Sequence, residues 1–254
     1  MSPALETRGL TRRFGGFTAV DAVSFTLAVG ARQALIGPNG AGKTTLVNLL
    51  SGAIPASAGQ VLLGGEDVSA LPVHARVQRG LVRTFQISQL FAALSPLESV
   101  TLAVLQRAGR GAVWWRPLRR HRAEREEAAA LLARLRFTGA EAAAPTDRLP
   151  YGKRRLLEIA LALALEPRVL LLDEPAAGVP PGESREVLDS VAALPRDVAV
   201  LLIEHDMDLV FRFAERITVL AQGAVLAEGT PAEIQRHPAV REAYLGEAAH
   251  APAA

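Results

Sequence analysis

The chain has 254 residues, of which 50% are hydrophobic and 21% are charged, and its formal net charge at pH 7 is +2. This length and composition are typical of one globular α/β domain with a substantial core, and so small a net charge gives no support to a nucleic-acid partner. Cysteine is absent, which excludes disulfides and thiolate metal sites and fits a reducing cytosol.

The first third of the chain is predicted to form strands around one glycine-rich loop. A helix-like run over residues 45–50 follows that loop. Apolar runs and loose alternation, which are typical of strands, occupy Leu5–Phe14, Ala22–Leu27, Ala31–Ile36 and Leu81–Phe85, with a short glycine-turn hairpin at Gly59–Gly65.

The rest of the chain is predicted to be helical at first and then to alternate. Residues 98–136 have a helical pattern, which a basic and aromatic segment at 114–120 interrupts, and Arg122–Leu135 is predicted to be a helix with an exposed face. Helices then follow at Gly152–Leu165, Gly182–Ala193 and Met207–Ala214, and strands at Val169–Leu172, Val198–Ile203 and Ile217–Leu220. This alternation implies a mostly parallel sheet with crossover helices. The Ala- and Pro-rich end after Gly246 is expected to fray.

No segment is expected to be secreted or to cross a membrane. The N-terminus lacks the basic-then-apolar order of a secretion signal. The longest apolar stretch, at residues 156–172, is interrupted by two glutamates, a proline and an arginine, so it is not expected to span a bilayer. Any membrane role would therefore depend on a partner.

Residues 37–44 form the most informative motif. They read Gly-Pro-Asn-Gly-Ala-Gly-Lys-Thr, which fits the phosphate-binding pattern G-x-x-x-x-G-K-[ST] without mismatch. Between a strand and a helix, such a loop brings backbone N–H groups to phosphate oxygens at the helix N-terminus. Lys43 would reach the β- and γ-phosphates and the Thr44 hydroxyl would ligate Mg²⁺. The motif predicts a nucleoside triphosphate site, the alternative being a glycine-rich turn before a core helix.

Polar residues follow three other predicted strands. Asp173 and Glu174 follow one, His205 another and Gln86 a third. The carboxyl ends of parallel strands meet at the sheet edge where ligands of open α/β sheets bind. We predict that Asp173 holds Mg²⁺, that Glu174 orients or deprotonates an attacking water, and that His205 contacts the γ-phosphate. Alone, each has an ordinary alternative: strand-end acids, a structural histidine and, for Gln86, a surface glutamine.

Together, these stretches resemble the ATP-binding subunit of ABC transporters over nearly the whole chain. Gly37–Thr44 matches the Walker A motif, Val169–Pro175 the Walker B motif, Gln86 the Q-loop glutamine and His205 the switch histidine. The resemblance implies the P-loop ABC ATPase fold, an α/β fold with a mostly parallel sheet, an antiparallel β subdomain and a helical subdomain. It implies these boundaries: a single domain over residues 1–246, its helical subdomain at about 87–165, and a disordered tail at 247–254.

The resemblance also implies the site residues. Phe14 matches the aromatic residue that stacks on adenine, although an ordinary core Phe at a strand end is the alternative. The implied catalytic residues are Glu174 and His205, and the implied Mg²⁺ ligands are Thr44, Gln86 and Asp173. The implied ATP contacts are Phe14, Val20, Gly37, Pro38, Asn39, Gly40, Ala41, Gly42, Lys43, Thr44 and Thr45. A signature loop lent to the partner's ATP is implied at Pro150, Tyr151, Gly152 and Lys153.

Four stretches are similar, more narrowly, to the ATPases of branched-chain amino acid importers: residues 85–91, 151–152, 203–208 and 227–231. These importers have two different ATPase subunits, and the insert around 105–136 resembles that of the longer one. The resemblance implies a peripheral subunit at the cytoplasmic face of the inner membrane that couples ATP hydrolysis to amino acid uptake. Its implied partners are a second ABC ATPase subunit, identical or different, two transmembrane permeases, which would dock near residues 86–96, and indirectly a periplasmic binding protein.

The signature loop departs from the family pattern. Leu-Ser-Gly-Gly-Gln, or Leu-Ser-Tyr-Gly-Gln in this branch, is replaced by Leu-Pro-Tyr-Gly-Lys at residues 149–153. Pro150 supplies neither the serine hydroxyl nor an N–H. Lys153 either adds a compensating charge toward the phosphate or faces solvent. The loop at 176–181 also lacks the Asp of many relatives. We expect the site that receives this signature loop to be impaired and the chain's own Walker site to be competent.

Other functions remain open at this stage. The ATPase of a lipopolysaccharide exporter is similar in sequence but shorter in the 105–136 region. Non-transport ABC ATPases usually have coiled coils or tandem cassettes, for which 254 residues leave no room. A GTPase or kinase with a bare phosphate loop would leave Gln86 and His205 without a role.

Overall fold

The computed structural model describes residues 2–84, 90–111 and 117–248. Its internal contacts divide the chain into two units. The first consists of Met1–Val82, Arg168–Glu174 and Pro195–Ala254, and the second of Arg83–Pro167 and Pro175–Leu194.

The strands are β1 Leu5–Phe14, β2 Phe17–Leu27, β3 Arg32–Ile36, β4 Ala58–Leu63, β5 Glu66–Asp67, β6 Leu81–Arg83, β7 Val169–Asp173, β8 Ala199–Ile203, β9 Arg216–Ala221 and β10 Ala224–Gly229. The helices are α1 Lys43–Ser51, α2 Val73–Gln78, α3 Pro96–Arg107, α4 Arg122–Arg134, α5 Gly139–Ala143, α6 Tyr151–Leu163, α7 Pro181–Ala192, α8 Met207–Phe213, α9 Pro231–Arg236 and α10 Pro238–Ala248.

The first unit is built around a mostly parallel sheet of six strands. Its order is β10-β9-β3-β8-β7-β6, in which β3 is parallel to both β8 and β9, and β7 is parallel to β8. Every residue of β3, β7 and β8 is buried, as expected of strands covered on both faces. The edge strand β10 runs antiparallel to its neighbour β9. The predicted parallel sheet is therefore confirmed.

A second, antiparallel sheet has the order β2-β1-β4-β5. Its strands contribute Leu5, Val23 and Val61 to a hydrophobic core that also contains residues of α1. Strand β2 begins at Phe17, five residues earlier than the prediction, because the turn at residues 15–16 lets Phe17 pair with Phe14 at once. This sheet is the antiparallel β part that the family resemblance implies.

Helices α4, α6 and α7 form in the second unit where the sequence predicts them, with ends that differ by one or two residues, whereas α3 ends at Arg107, before the basic and aromatic segment. Helix α3 begins after a capping box, in which Ser95 accepts a hydrogen bond from the Glu98 N–H and Glu98 accepts one from the Ser95 N–H. The hydrogen bonds that the Ser95 N–H and hydroxyl donate to the Glu98 carboxylate hold its pKa below the usual value. Thr138 and Glu141 cap α5 in the same way.

Several elements are missing from the sequence predictions. Helices α2, α5 and α9 have only five or six residues, too short for a 3.6-residue period to show. Strand β10 was also not predicted, and α10 extends to Ala248, so it includes the first two residues of the predicted tail. None of the helices within the described ranges is long and apolar enough to cross a membrane.

A buried arginine holds the end of the helix that follows the phosphate loop. Arg76 is only 2% exposed, and burial lowers the pKa of its guanidinium. It donates hydrogen bonds to the carbonyls of Leu49 and Leu50 in the last turn of α1, both at 2.7 Å, and to those of Ser69 and Leu71. A cation at this end of α1 satisfies carbonyls that have no partner within the helix.

We expect Arg76→Met to lower the free energy of unfolding by about 3 kcal/mol or more, because four carbonyls lose a charged donor. Urea denaturation measures this change. The matched control is Arg79→Met, whose guanidinium forms an exposed ion pair with Glu66 and whose loss should cost less than about 1 kcal/mol. Equal costs for the two variants would contradict the role assigned to Arg76.

Candidate functional site

The phosphate loop connects β3 to α1 through backbone that requires glycine. Gly37 has a φ of 154° and Gly42 a φ of 98°, both in the region that L side chains rarely adopt. A Cβ on Gly37 would lie 2.2 Å from the carbonyl oxygen of Leu220, and one on Gly42 would lie 2.4 Å from that of Ala19. The loop is therefore packed against backbone of β9 and β2 and has no room for a methyl group at either position.

The beginning of α1 combines backbone N–H groups with a cation. Gly42 is the N-cap and makes no side-chain cap hydrogen bond. The Lys43 ammonium donates to the carbonyls of Gly37 at 2.6 Å and Pro38 at 2.9 Å, so it bends back over the loop. Thr44 is exposed in the first turn. Backbone N–H groups, the positive end of the helix dipole and Lys43 together favour an anion here.

The remaining members of the predicted ATP-binding set differ in accessibility. Asn39 and Gly40 are exposed, Pro38 and Thr45 are half-buried, and Ala41 is buried.

The sheet order brings the candidate acids and the histidine to the edge where this loop lies. Strands β3, β8 and β7 are consecutive and parallel, so the loop after β3, His205 after β8 and Glu174 after β7 leave the same edge. Asp173 is the last residue of β7 and is 4% exposed. This edge is where ligands of open α/β sheets bind.

Glu174 and His205 are neighbours at that edge. The Oε1 of Glu174 lies 3.9 Å from the Nδ1 of His205, and their side chains are 28% and 68% exposed. This separation is too long for a hydrogen bond and leaves both groups able to contact a ligand. Glu174 has a φ of 48°, and its N–H donates to the Ile203 carbonyl at 2.9 Å, which ties it to β8. Strain of this kind in a non-glycine residue is typical of functional sites.

The buried carboxylate of Glu204 contacts His205. The Glu204 side chain is 1% exposed, its Oε2 accepts a hydrogen bond from the His205 N–H at 3.2 Å, and it lies 3.8 Å from Nδ1. The sequence motifs do not single out Glu204. The sequence feature that could have identified Glu204 is its position directly after the apolar run of β8.

The predicted adenine residue lies at the tip of the β1–β2 hairpin. Phe14 is 46% exposed, which excludes the alternative of an ordinary core Phe. Phe17, its partner across the hairpin, is 64% exposed and was not singled out. Val20, in contrast, is fully buried in the core of the first unit.

Two parts of the predicted metal site can be located. Thr44 offers a hydroxyl at the start of α1 and Asp173 a carboxylate at the end of β7, which are oxygen donors of the kind that Mg²⁺ prefers. The third predicted ligand, Gln86, lies outside the described residues. In the described ranges there is no group of three or more His, Asp or Glu that could hold a metal.

The predicted signature loop lies in the second unit, at the start of α6. Pro150 is its exposed N-cap and makes no side-chain cap hydrogen bond, and Tyr151 is exposed. The Gly152 N–H donates to Oε2 of Glu183, from the first turn of α7, at 2.8 Å. A backbone donor at this helix N-terminus is thus already bound to a carboxylate, a feature that the sequence motifs do not reveal.

The Lys153 ammonium is bound within the protein, so neither alternative given for it above, a charge directed toward phosphate or a side chain that faces solvent, describes its position. Its ammonium donates to the Arg136 carbonyl at 2.7 Å and lies 3.7 Å from carboxylates of Glu141 and Glu186. It also lies 5.3 Å from the centre of the Phe137 ring. The side chain is 15% exposed, so its charge is used within the second unit.

Comparison with known proteins places this site in a family. A family model described as ABC transporter matches residues 20–177, and one described as Branched-chain amino acid ATP-binding cassette transporter matches residues 224–250. The chain therefore belongs to the ABC transporter ATP-binding family, and it is an ATPase of that family. The predicted family, fold and enzymatic class are confirmed.

Individual relatives agree with this assignment. The chain is 42% identical to the high-affinity branched-chain amino acid transport ATP-binding protein BraF of Pseudomonas aeruginosa, over 97% of this chain and 99% of that protein. It is 40% identical to LivG of Escherichia coli K12, which has the same description, with the same coverage.

Solved structures include a nucleotide-free ATP-binding cassette from an ABC transporter, with a TM-score of 0.83 and 28% identity over 96% of this chain and 99% of that one. An ADP-bound conformation of such a cassette has a TM-score of 0.83 and 29% identity over 97% of this chain and 100% of that one.

We expect Gly42→Ala to destabilise the nucleotide-free protein by about 3 kcal/mol or more, because the backbone carbonyl of Ala19 blocks the new methyl group. The control is Gly40→Ala, where φ is 74° but no atom lies within 4 Å, so that only backbone strain of about 1 kcal/mol is expected. Chemical denaturation without nucleotide compares the two. Similar losses would mean that φ, not packing against β2, requires the glycine.

Proposed function

We propose that this chain is the ATP-hydrolysing subunit of an importer for branched-chain or chemically related amino acids. One observation carries the catalytic part: the phosphate loop, Asp173, Glu174 and His205 leave consecutive parallel strands at one sheet edge. The similarity to BraF and LivG over almost the full length supports the transport part. In this proposal residues 1–246 act as one ABC ATPase domain.

The phosphate loop would bind the triphosphate of ATP. The N–H groups at the start of α1 would donate to phosphate oxygens, and Lys43 would exchange its bonds to the Gly37 and Pro38 carbonyls for bonds to the β- and γ-phosphates. Thr44, Asp173 and, by family resemblance, Gln86 would hold Mg²⁺. The ion, when bound, neutralises developing phosphate charge.

Glu174 would accept a proton from the water that attacks the γ-phosphate. Its φ of 48° and its N–H bond to Ile203 fix the backbone, while the side chain keeps access to solvent. His205, 3.9 Å away and largely exposed, would contact the γ-phosphate and keep the water and the phosphate in line. Glu204 would hold the backbone of His205 in place.

Glu174→Gln should reduce ATP turnover at least about a hundredfold and leave ATP bound, because an amide keeps the shape but not the basicity of the carboxylate. Phosphate release and retention of labelled ATP measure the two effects. Glu166→Gln is the matched control, since Glu166 also has a left-handed φ, 52°, and is largely exposed. Undiminished hydrolysis by Glu174→Gln would refute the catalytic role.

The proposed assembly has two ATPase subunits and two membrane permeases. The ATPases, identical or different, would close head to tail over two ATP molecules at the cytoplasmic face of the membrane, and closure would shift the permeases between two conformations. A periplasmic binding protein would deliver the amino acid. The subunit itself would touch membrane partners and not the transported solute.

We propose that the signature loop of this chain supports its partner's ATP poorly. Pro150 lacks a hydroxyl and an N–H, the Gly152 N–H is bound to Glu183, and Lys153 is bound to the Arg136 carbonyl. A phosphate that approaches this loop would meet few vacant donors and the carboxylate of Glu183. The chain's own Walker A and Walker B motifs, in contrast, match the family pattern.

Pro150→Ser should raise the ATPase rate of the assembled transporter at least several-fold, because the hydroxyl restores a donor for the partner's γ-phosphate. The control is Pro117→Ser, at an exposed proline elsewhere in the second unit. An unchanged rate in Pro150→Ser would show that Pro150 does not limit activity.

Uptake tests the transport proposal. With its cognate permeases and binding protein in vesicles, the chain should drive ATP-dependent uptake of labelled leucine, isoleucine or valine, and Glu174→Gln should abolish it. ATP hydrolysis without uptake of these or of chemically related amino acids would leave the ATPase in place and overturn the proposed importer.

A further inference from the structure

An arginine covers the ring of the predicted adenine residue. The Cζ of Arg12 lies 4.5 Å from the centre of the Phe14 ring, two residues along β1. Arg12 is half-buried, whereas Phe14 at the hairpin tip is 46% exposed. The guanidinium therefore occupies one face of the ring, while the exposed surface of Phe14 is left for another planar group.

The same guanidinium is anchored to the segment that follows the phosphate-loop helix. The Nη1 of Arg12 donates to the Pro55 carbonyl at 2.9 Å. Two neighbouring bonds reinforce this connection: the Arg13 N–H donates to the Ser57 hydroxyl at 3.0 Å, and the Ser57 N–H donates to the Thr11 carbonyl at 2.8 Å. The ring of Phe14 is thus held, through Arg12, to the chain that leaves α1.

These contacts have a physical consequence for stacking. A guanidinium over an aromatic face is attracted by the ring quadrupole, and its anchored position restricts the rotamers that Phe14 can adopt. A ring already ordered before a base arrives loses less conformational entropy on binding. Stacking of a base on an aromatic side chain is itself worth about 1–3 kcal/mol.

We propose that Arg12 is a positioning residue for the nucleobase: it fixes the Phe14 ring from one side so that the base of a nucleotide stacks on the other. The inference rests on the proposed ATP site and adds to it a residue that touches neither phosphate nor base. Arg12 acts through Phe14, so its loss should weaken recognition of the base and leave recognition of the phosphates unchanged.

The test compares ATP with inorganic tripolyphosphate, which has the phosphates but no base, in binding titrations of the full chain. Arg12→Ala should raise the dissociation constant of ATP roughly two- to five-fold and leave that of tripolyphosphate unchanged. Arg12→Lys, which keeps the cation but not the planar group, should recover only part of the loss. Arg13→Ala, which removes an equal charge from the adjacent exposed position, should bind both ligands like the unmodified chain.

A double-mutant cycle separates the possible outcomes. Phe14→Ala should weaken ATP binding roughly five-fold or more, and adding Arg12→Ala to it should have no further effect. Equal losses of ATP and tripolyphosphate affinity in Arg12→Ala, or an effect that persists without Phe14, would overturn the proposal by showing a general structural role. Unchanged ATP affinity in Phe14→Ala would also overturn it, yet would leave the ATPase intact. Only a failure of the unmodified chain to bind ATP would remove the proposed function itself.

Discussion

The candidate site depends on backbone hydrogen bonds that fasten the phosphate loop to two different strand pairs. The Gly223 N–H, in the turn between β9 and β10, donates to the Ala41 carbonyl at 3.0 Å, and the Asp21 N–H of β2 donates to the Gly223 carbonyl at 2.8 Å. The loop, the parallel sheet and the antiparallel sheet are thereby joined at one point. The close approach of Gly42 to β2 belongs to the same junction, and a side chain at that position would separate the surfaces that it joins.

The junction explains how distant parts of the chain contribute to one site in the first unit. Phe14 belongs to the antiparallel sheet, whereas Lys43 at the start of α1, Glu174 and His205 lie at the edge of the parallel sheet. At Glu174, where a side chain leaves that edge, the backbone has a left-handed φ, and the N–H bond to the Ile203 carbonyl continues the pairing of β7 with β8 for one more residue. The regular pairing of buried strands thus holds the left-handed backbone of Glu174 at the position where it is proposed to act in ATP hydrolysis.

The sequence predicted the parts of this arrangement that local patterns specify. Continuous apolar runs located β3, β7 and β8, and the spacing of residues 37–44 located the loop that is proposed to bind phosphate, because each of these features lies within a few consecutive residues. Features formed by contacts between distant residues could not be predicted in this way. The bond from Gly152 to Glu183 joins two helices, and the position of the Lys153 ammonium depends on the Arg136 carbonyl, which follows α4, and on carboxylates of α5 and α7.

The start of α6 illustrates why this limit matters for function. In the sequence, Gly152 and Lys153 retain two features of an anion site in spite of Pro150, since a helix N-terminus and a cation both favour phosphate. In the folded chain the same two groups are bound to Glu183 and to the Arg136 carbonyl, so the donors that would compensate for the proline are already in use. A phosphate could take their place only if these internal bonds were broken first, and the cost of breaking them would be subtracted from any binding energy at this loop. The difference between the two phosphate sites of the proposed ATPase pair would then arise from hydrogen bonds inside the second unit as much as from one missing hydroxyl.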